Sequence, residues 1–279
     1  IRNLSTIQRG GSIELVASER VSTGSGSSIN ASFKELEDPT IADVFANGRN
    51  FEIRSAESDT PVLVDLHGTI EAPSATIKIN AGDGGRIYLG ETSKIDVSGS
   101  WTDKSAEEKV MAVQMNSLEL RDEFLQKNGE LQGETIYFLP DQGVNIGNIT
   151  EHLENQALSV WEKSAEGGTI NLEAGTGDII VDDGAQIDIS GGGVNYAGGY
   201  IQTTKLVSGG TEYDISEAPD YLHYDSLINT QNNMSENHKS YLNAHSVGED
   251  AGTLTLIAKQ VVYEGDLDAS ATQGFYQVN

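Results

Sequence analysis

One phrase, written four times, constrains the fold of this chain more than any other feature. It reads Gly10-Gly11-Ser12-Ile13-Glu14-Leu15, then Gly84-Gly85-Arg86-Ile87-Tyr88-Leu89. It returns as Gly167-Gly168-Thr169-Ile170-Asn171-Leu172 and as Ala251-Gly252-Thr253-Leu254-Thr255-Leu256. A second phrase follows three of the four: Ile95-Asp96-Val97-Ser98-Gly99, Ile187-Asp188-Ile189-Ser190-Gly191 and Leu267-Asp268-Ala269-Ser270. Repetition on this scale marks a stack of like units, each burying its apolar side against the next.

Each phrase is a short strand. Ile13/Leu15, Ile87/Leu89, Ile170/Leu172 and Leu254/Leu256 alternate with polar residues, which places the apolar members on one face. The glycine pairs are expected to supply turns that need φ > 0. Similar dyads, such as Val64/Leu66, Ile77/Ile79 and Ile179/Val181, fill the gaps. Strands of about 3–5 residues at intervals of about 8–12 fit a sandwich, a barrel or a parallel β-helix. Hairpin signals are scarce, Asn128-Gly129 being the clean example. Near-identical wording is what in-register coils require, so the pattern predicts an all-β parallel β-helix (a solenoid) with those eight residues in its stacked core.

Residues 1–279 read as one section of such a shaft, broken by excursions at about 32–43, 105–133, 149–165 and 218–250. The first is polar and acidic. The second has a helix-like start at Ala106-Glu107-Glu108-Lys109, then Val113/Met115 and Leu118/Leu120 in strand-like alternation. In the third, Ile149, Leu153, Leu158 and Trp161 have mostly helical spacing, stopped at Gly167. The last carries few β-branched residues and is expected to lack stacked core. With strands ~4.8 Å apart, about 8–10 coils would form a rod ~40–50 Å long, unless the excursions take more residues.

There are 43 Asp+Glu against 17 Lys+Arg, a net charge of -26. No basic field exists to meet phosphate, which argues against nucleic acid or an anionic membrane as partner. The absence of cysteine removes disulfides and thiolate chemistry, and suits a chain that crosses an oxidising compartment unfolded. No apolar run approaches the ~18 residues of a membrane span. Ile1-Arg2-Asn3-Leu4 has no signal-peptide character, and the chain opens within patterned sequence, so it reads as a section of a longer polypeptide.

Asp96, Asp188 and Asp268 recur at one place in the second phrase. They are candidates for a carboxylate ladder holding Ca²⁺, with Asp178, Asp182 and Asp183 as a looser acidic group that could join it. The preferred reading is that each caps its own turn and faces water. A polysaccharide hydrolase would need two carboxylates about 5–10 Å apart, which Asp182-Asp183 offers nominally. A lyase would need a poised base, with Arg86 and Lys94 nearby. So acidic a chain yields such pairs by chance, and no catalytic residue is assigned. None of the five histidines has metal-ligand spacing. Tyrosines crowd one stretch: Tyr196, Tyr200, Tyr213, Tyr221 and Tyr224. These are candidates for contact with a glycan or protein partner, against the plainer reading that they pack an excursion.

The segment Gly191-Gly192-Gly193-Val194-Asn195-Tyr196-Ala197-Gly198-Gly199-Tyr200-Ile201-Gln202-Thr203-Thr204-Lys205-Leu206, followed by Tyr213-Asp214-Ile215-Ser216 and Ala218-Pro219-Asp220, resembles a block of filamentous-haemagglutinin-like large exoproteins. Ile95-Asp96-Val97-Ser98-Gly99, Glu119-Leu120-Arg121-Asp122 and Leu131-Gln132-Gly133 are similar in the same order, so the resemblance covers about residues 84–225. It implies an internal or C-terminal section of a secreted, cell-surface protein, exported with an outer-membrane partner by two-partner secretion. It also implies a long right-handed β-helical shaft and a structural role in adhesion, surface filaments or biofilm matrix. Expected partners are other copies of the chain, host or matrix components, and glycans. No cofactor is expected, with Ca²⁺ on the aspartate ladder as the alternative. The rivals are a carbohydrate-active β-helix enzyme and a phage-type fibre.

Overall fold

The structure, a computed structural model, describes residues 12–31, 50–57, 60–154, 162–229 and 238–274. The expected excursion at 32–43, the leading glycines of the first phrase, and Leu158 and Trp161 lie outside the described residues. The chain divides into two compact units. Unit 1 comprises residues 1–102, 158–194 and 246–279, and unit 2 comprises 103–157 and 195–245.

Unit 1 is built from strands that come in threes. The first triplet is β1 (Ser12–Ala17), β2 (Arg20–Thr23) and β3 (Ser28–Asn30). The second is β4 (Asn50–Ser55), β5 (Leu63–Leu66) and β6 (Thr69–Glu71), and the third β7 (Thr76–Asn80), β8 (Arg86–Leu89) and β9 (Lys94–Asp96). Then come β10 (Trp101–Lys104), β11 (Met111–Gln114), β12 (Thr135–Phe138) and the short helix α1 (Thr150–Glu154). The fourth triplet is β13 (Thr169–Glu173), β14 (Asp178–Val181) and β15 (Gln186–Asp188). After it run β16 (Gly193–Tyr196), β17 (Gly199–Gln202), β18 (Lys205–Ser208) and β19 (Thr211–Asp214). They continue with β20 (Ser226–Ile228), β21 (Lys239–Leu242) and β22 (His245–Gly248). The fifth triplet is β23 (Thr253–Ile257), β24 (Gln260–Tyr263) and β25 (Asp266–Asp268).

Each member of a triplet joins a different sheet. The first members form one five-stranded sheet, β1-β4-β7-β13-β23; the second form β2-β5-β8-β14-β24; the third form β3-β6-β9-β15-β25. The paired strands of all three sheets run parallel and in register. The apolar residues therefore form columns. Ile13, Phe51, Ile77, Ile170 and Leu254 make one. Val21, Val64, Ile87, Ile179 and Val261 make a second, and Ile29, Ile70, Ile95, Ile187 and Leu267 a third. The middle rungs are fully buried. The expectation of an all-β chain with a short helix holds. The described stack is five strands deep rather than about 8–10, because β10–β12, α1 and β16–β22 consume the residues that further triplets would need.

One member of the recurring phrase changes place. Ile13/Leu15, Ile170/Leu172 and Leu254/Leu256 share the first sheet, but Ile87/Leu89 lies in the second, over Val64/Leu66 and Ile179/Val181. Its expected position is occupied by Ile77/Ile79. The glycines also serve another purpose. Of those described in the four phrases, only Gly84 has positive φ, at 75°. Gly168 and Gly252 sit at a corner where successive rungs touch: a Cβ at Gly252 would collide with the Gly168 carbonyl, and one at Gly168 with that of Ala75. The repeated glycine answers close backbone approach rather than a left-handed turn.

Outward-facing polar side chains tie one triplet to the next. Arg20 pairs with Asp65, Arg54 with Glu14 at 2.6 Å, and Arg86 grips Asp178 through two bonds of 2.7 and 2.8 Å. These pairs are solvated and each contributes little. The columns behind them supply most of the stability.

Unit 2 follows other rules. β11 and β12 pair antiparallel, as do β17 with β21 and β18 with both β19 and β20. Its main core gathers Val113, Met115, Leu120, Leu131, Ile136 and Phe138 with Ile149, Leu206, Ile215, Tyr224 and Leu227. The expected excursions at 105–133 and 218–250 thus contribute to a shared core, Ala218, Tyr224 and Leu227 included. Few β-branched residues in 218–250 point to a lack of stacked core, and the core found there is of another kind: bulky side chains spaced without a period bury well once several segments converge. Of the helix-like start at 106–109, one 3₁₀ turn forms at Glu107–Lys109, and Leu118/Leu120 lie in turns rather than a strand. The helical reading of 149–165 is met over Thr150–Glu154.

Candidate functional site

The third sheet of unit 1 sets Asn30, Glu71, Asp96, Asp188 and Asp268 in one column beside the buried isoleucines. Each of the three aspartates closes the same clamp. Its Oδ1 accepts the backbone N–H and the hydroxyl of the serine two residues on: Ser98 at 3.1 and 2.7 Å, and Ser190 and Ser270 each at 3.0 and 2.7 Å. Asp96 also receives the Lys94 ammonium at 2.8 Å. Burial opposes the charge of Asp96, but Lys94 and the Ser98 donors outweigh it and hold the carboxyl below its usual range. The Ser270 hydroxyl and N–H lower Asp268 likewise. Asp214 closes an equivalent clamp in unit 2, on Ser216 at 3.1 and 2.9 Å, with Lys205 at 2.6 Å. The tripeptide Asp-Ile-Ser makes the same bonds at 188–190 in a parallel stack and at 214–216 in an antiparallel sheet. The clamp is therefore local turn chemistry. Among the described residues, no group of three or more His, Asp or Glu side chains is arranged to hold a metal.

The second sheet carries the other acidic candidates. Asp178 is bound by Arg86, whose hydrogen bonds hold its carboxyl low, and Asp182 accepts the Tyr88 hydroxyl at 2.7 Å. Asp183, next in sequence, is exposed. His67 reaches Asp65 at 3.0 Å and meets the Tyr88 ring edge-on at 5.7 Å between centroids. Tyr88 thus links this face across triplets, to Asp182 on one side and His67 on the other.

The tyrosine group divides. Tyr224 is buried, donates to the Pro219 carbonyl at 2.7 Å and packs edge-on to Tyr213; burial and its neighbours Tyr213, Tyr221 and Asp220 push its phenol up to about 12. Tyr196 stacks on His245 at 5.2 Å, with the Lys109 ammonium 5.2 Å from its ring centroid. These three tyrosines pack unit 2. Tyr200 and Tyr241 are instead cross-strand partners on β17 and β21, 63% and 58% exposed, with rings at 76°. Tyr221 is 74% exposed.

Two features escaped the sequence reading. One is the buried Lys109, whose ammonium donates to Asp141 at 2.9 Å and to His245 Nε2 at 2.7 Å. His245 Nδ1 lies 2.9 Å from the Asn243 carbonyl. That carbonyl only accepts, so Nδ1 carries the proton and Nε2 offers its lone pair to Lys109. Lys109 and His245 are 136 residues apart, and no local signal joins them. The other feature is Phe124, 92% exposed in a loop of unit 2; its only trace is an apolar pair, Phe124-Leu125, among charged neighbours. No family model matches this chain, and no curated protein or solved structure is significantly similar to it.

Proposed function

We propose that the three parallel sheets are the faces of a β-helical shaft, right-handed as the filamentous-haemagglutinin resemblance implies. The chain is then a structural section of a secreted, surface-exposed exoprotein that acts in adhesion, filament or matrix formation. The observation that carries this reading is the rotation of successive strands through three sheets with every column in register. Such a stack gains length by adding coils without changing its cross-section, which suits a role in which reach is the product. The outer strands of the fifth triplet support end-to-end association with other copies: among the described residues nothing pairs their outer edge, and the column members Val261 and Leu267 are 42% and 46% exposed. Export of the full-length protein through an outer-membrane partner belongs to the same reading. Unit 2, inserted in sequence between the third and fifth triplets, displays aromatic side chains suited to a glycan or a host or matrix protein.

The test is immunogold labelling of intact source cells with antibody to this chain, together with electron microscopy of the purified protein. Surface label and elongated particles are expected. Intracellular label would overturn the reading. Release of reducing ends from a polysaccharide would favour the carbohydrate-active enzyme, and an obligate trimer the phage-type fibre.

A further inference from the structure

The loop between β11 and β12 departs from ordinary burial in a specific way. Phe124 is almost wholly exposed, and Leu118 and Leu125 of the same loop are exposed too. The loop itself is held firmly. Leu120 and Leu131 anchor it in the unit 2 core, and the buried Gln126 donates to the Leu222 carbonyl at 2.5 Å. Successive turns close it from inside, with Glu123 N–H to Leu120 O and Gln126 N–H to Glu123 O, both 3.1 Å. Phe124 is thus presented on a fixed support. The Gln126 bond also brings the loop against the segment that carries Tyr221 and Asp220. Burial and the neighbouring Asp220 and Asp122 carboxylates push the Glu123 carboxyl above its usual range, so these acids share one field. An isolated exposed apolar residue needs no explanation, but a phenylalanine on a fixed loop that Gln126 bonds to the segment carrying a second exposed aromatic, Tyr221, does.

We propose that Phe124 and Tyr221 form the apolar centre of a protein-docking surface, rimmed by Asp122, Glu123 and Asp220, whose partner is a segment presenting basic side chains beside apolar ones. Charge decides the class of partner. Arg121 pairs with Asp122 at 3.3 Å, so Glu123 and Asp220 carry the negative charge of the rim. With -26 on the whole chain, basic segments are drawn in and acidic ones or anionic bilayers are turned away. The rings give the contact area once the charges have steered the approach, and Tyr221 and Phe124 offer their faces to Lys or Arg as well. The inference rests on this surface alone and stands apart from the shaft reading.

The probe is a synthetic amphipathic helix with leucine on one face and lysine on the other, titrated into the full chain by calorimetry. Saturable binding is expected. Phe124→Ser and Tyr221→Ser should each weaken it about tenfold, the size of a central contact. Asp220→Asn should weaken it about two- to threefold and flatten its salt dependence. Tyr200→Ser serves as a control and should leave it unchanged. These are surface changes, and an unaltered thermal midpoint checks that each variant folds. Equal affinity for a lysine–serine peptide without leucine, or equal loss with Tyr200→Ser, would show diffuse charge attraction and overturn the proposal. Absence of peptide binding together with Phe124-dependent binding to phosphatidylcholine vesicles would replace it with a membrane contact.

Discussion

In unit 1 a buried side chain lies beside its counterpart on the next rung: Phe51, Ile77 and Ile170 are successive members of one column. In unit 2 Leu120, Phe138 and Tyr224 meet from segments that share no register. The first arrangement repeats a short rule and tolerates insertion, because a chain that leaves after β9 can resume at β13 if the next rung fits. Asn80 and Glu173, bonded across that join, are 93 residues apart. The second arrangement has no rule to resume. Each of its core residues must fit several unrelated neighbours at once. Periodic cores thus accept long excursions, whereas aperiodic cores are specified one residue at a time.

The comparison can be broken most sharply by a charge in a column. Ile170→Asp sets a carboxylate between Ile77 and Leu254 and should cost more than about 4 kcal/mol. Hydrogen exchange should show loss of protection in β7, β13 and β23 first. Equal loss in β11 and β12 would mean that the two units unfold as one. Phe138→Ala in unit 2 should cost about 3–5 kcal/mol through the cavity it leaves, read as a lower urea midpoint, with early loss of protection in β11, β12 and β18.

Glycine substitutions sharpen the contrast at smaller cost. Gly252→Ala forces a methyl into the Gly168 carbonyl and should destabilise by about 1–3 kcal/mol. Gly209→Ala, where nothing lies within 4 Å but φ is 57°, should cost about 1 kcal/mol from backbone strain alone. A larger loss at 209 than at 252 would contradict the close-approach account.

Acid should weaken both units together. Asp96 in unit 1 and Asp214 in unit 2 are each opposed by burial but held below their ordinary range by a lysine and a serine clamp. A carboxyl lowered in the folded state stabilises above its unfolded value, about 3.9, and loses that contribution as pH falls through the folded value. Thermal midpoints should therefore fall below about pH 4, and Asp96→Asn or Asp214→Asn should flatten the fall. The smallest expected effect is none: EDTA should leave the midpoint unchanged if Asp96, Asp188 and Asp268 only clamp their serines. A rise with millimolar Ca²⁺ would reveal an ion on that column.

What could be read from the sequence alone was whatever depends on neighbours a few residues away. Alternation of Ile, Val and Leu with polar residues determined the triplet strands and their buried faces, though not the turns at Leu118/Leu120, and Asp-x-Ser determined its clamp, since donor and acceptor lie two residues apart. Stacking decided the rest. Ile87/Leu89 joins Val64/Leu66 because an apolar dyad is equally good in any of the three sheets, and only the length of the preceding turns chooses among them. The tyrosines were legible as a group, but their division was not: Tyr224 is enclosed by Leu120 and Leu227 while Tyr200 faces water, and nothing within a few residues of either dictates it. Lys109 and His245, and the exposed Phe124, belong to the same class. Their surroundings come from segments distant in the chain, so only the tertiary structure could assign them.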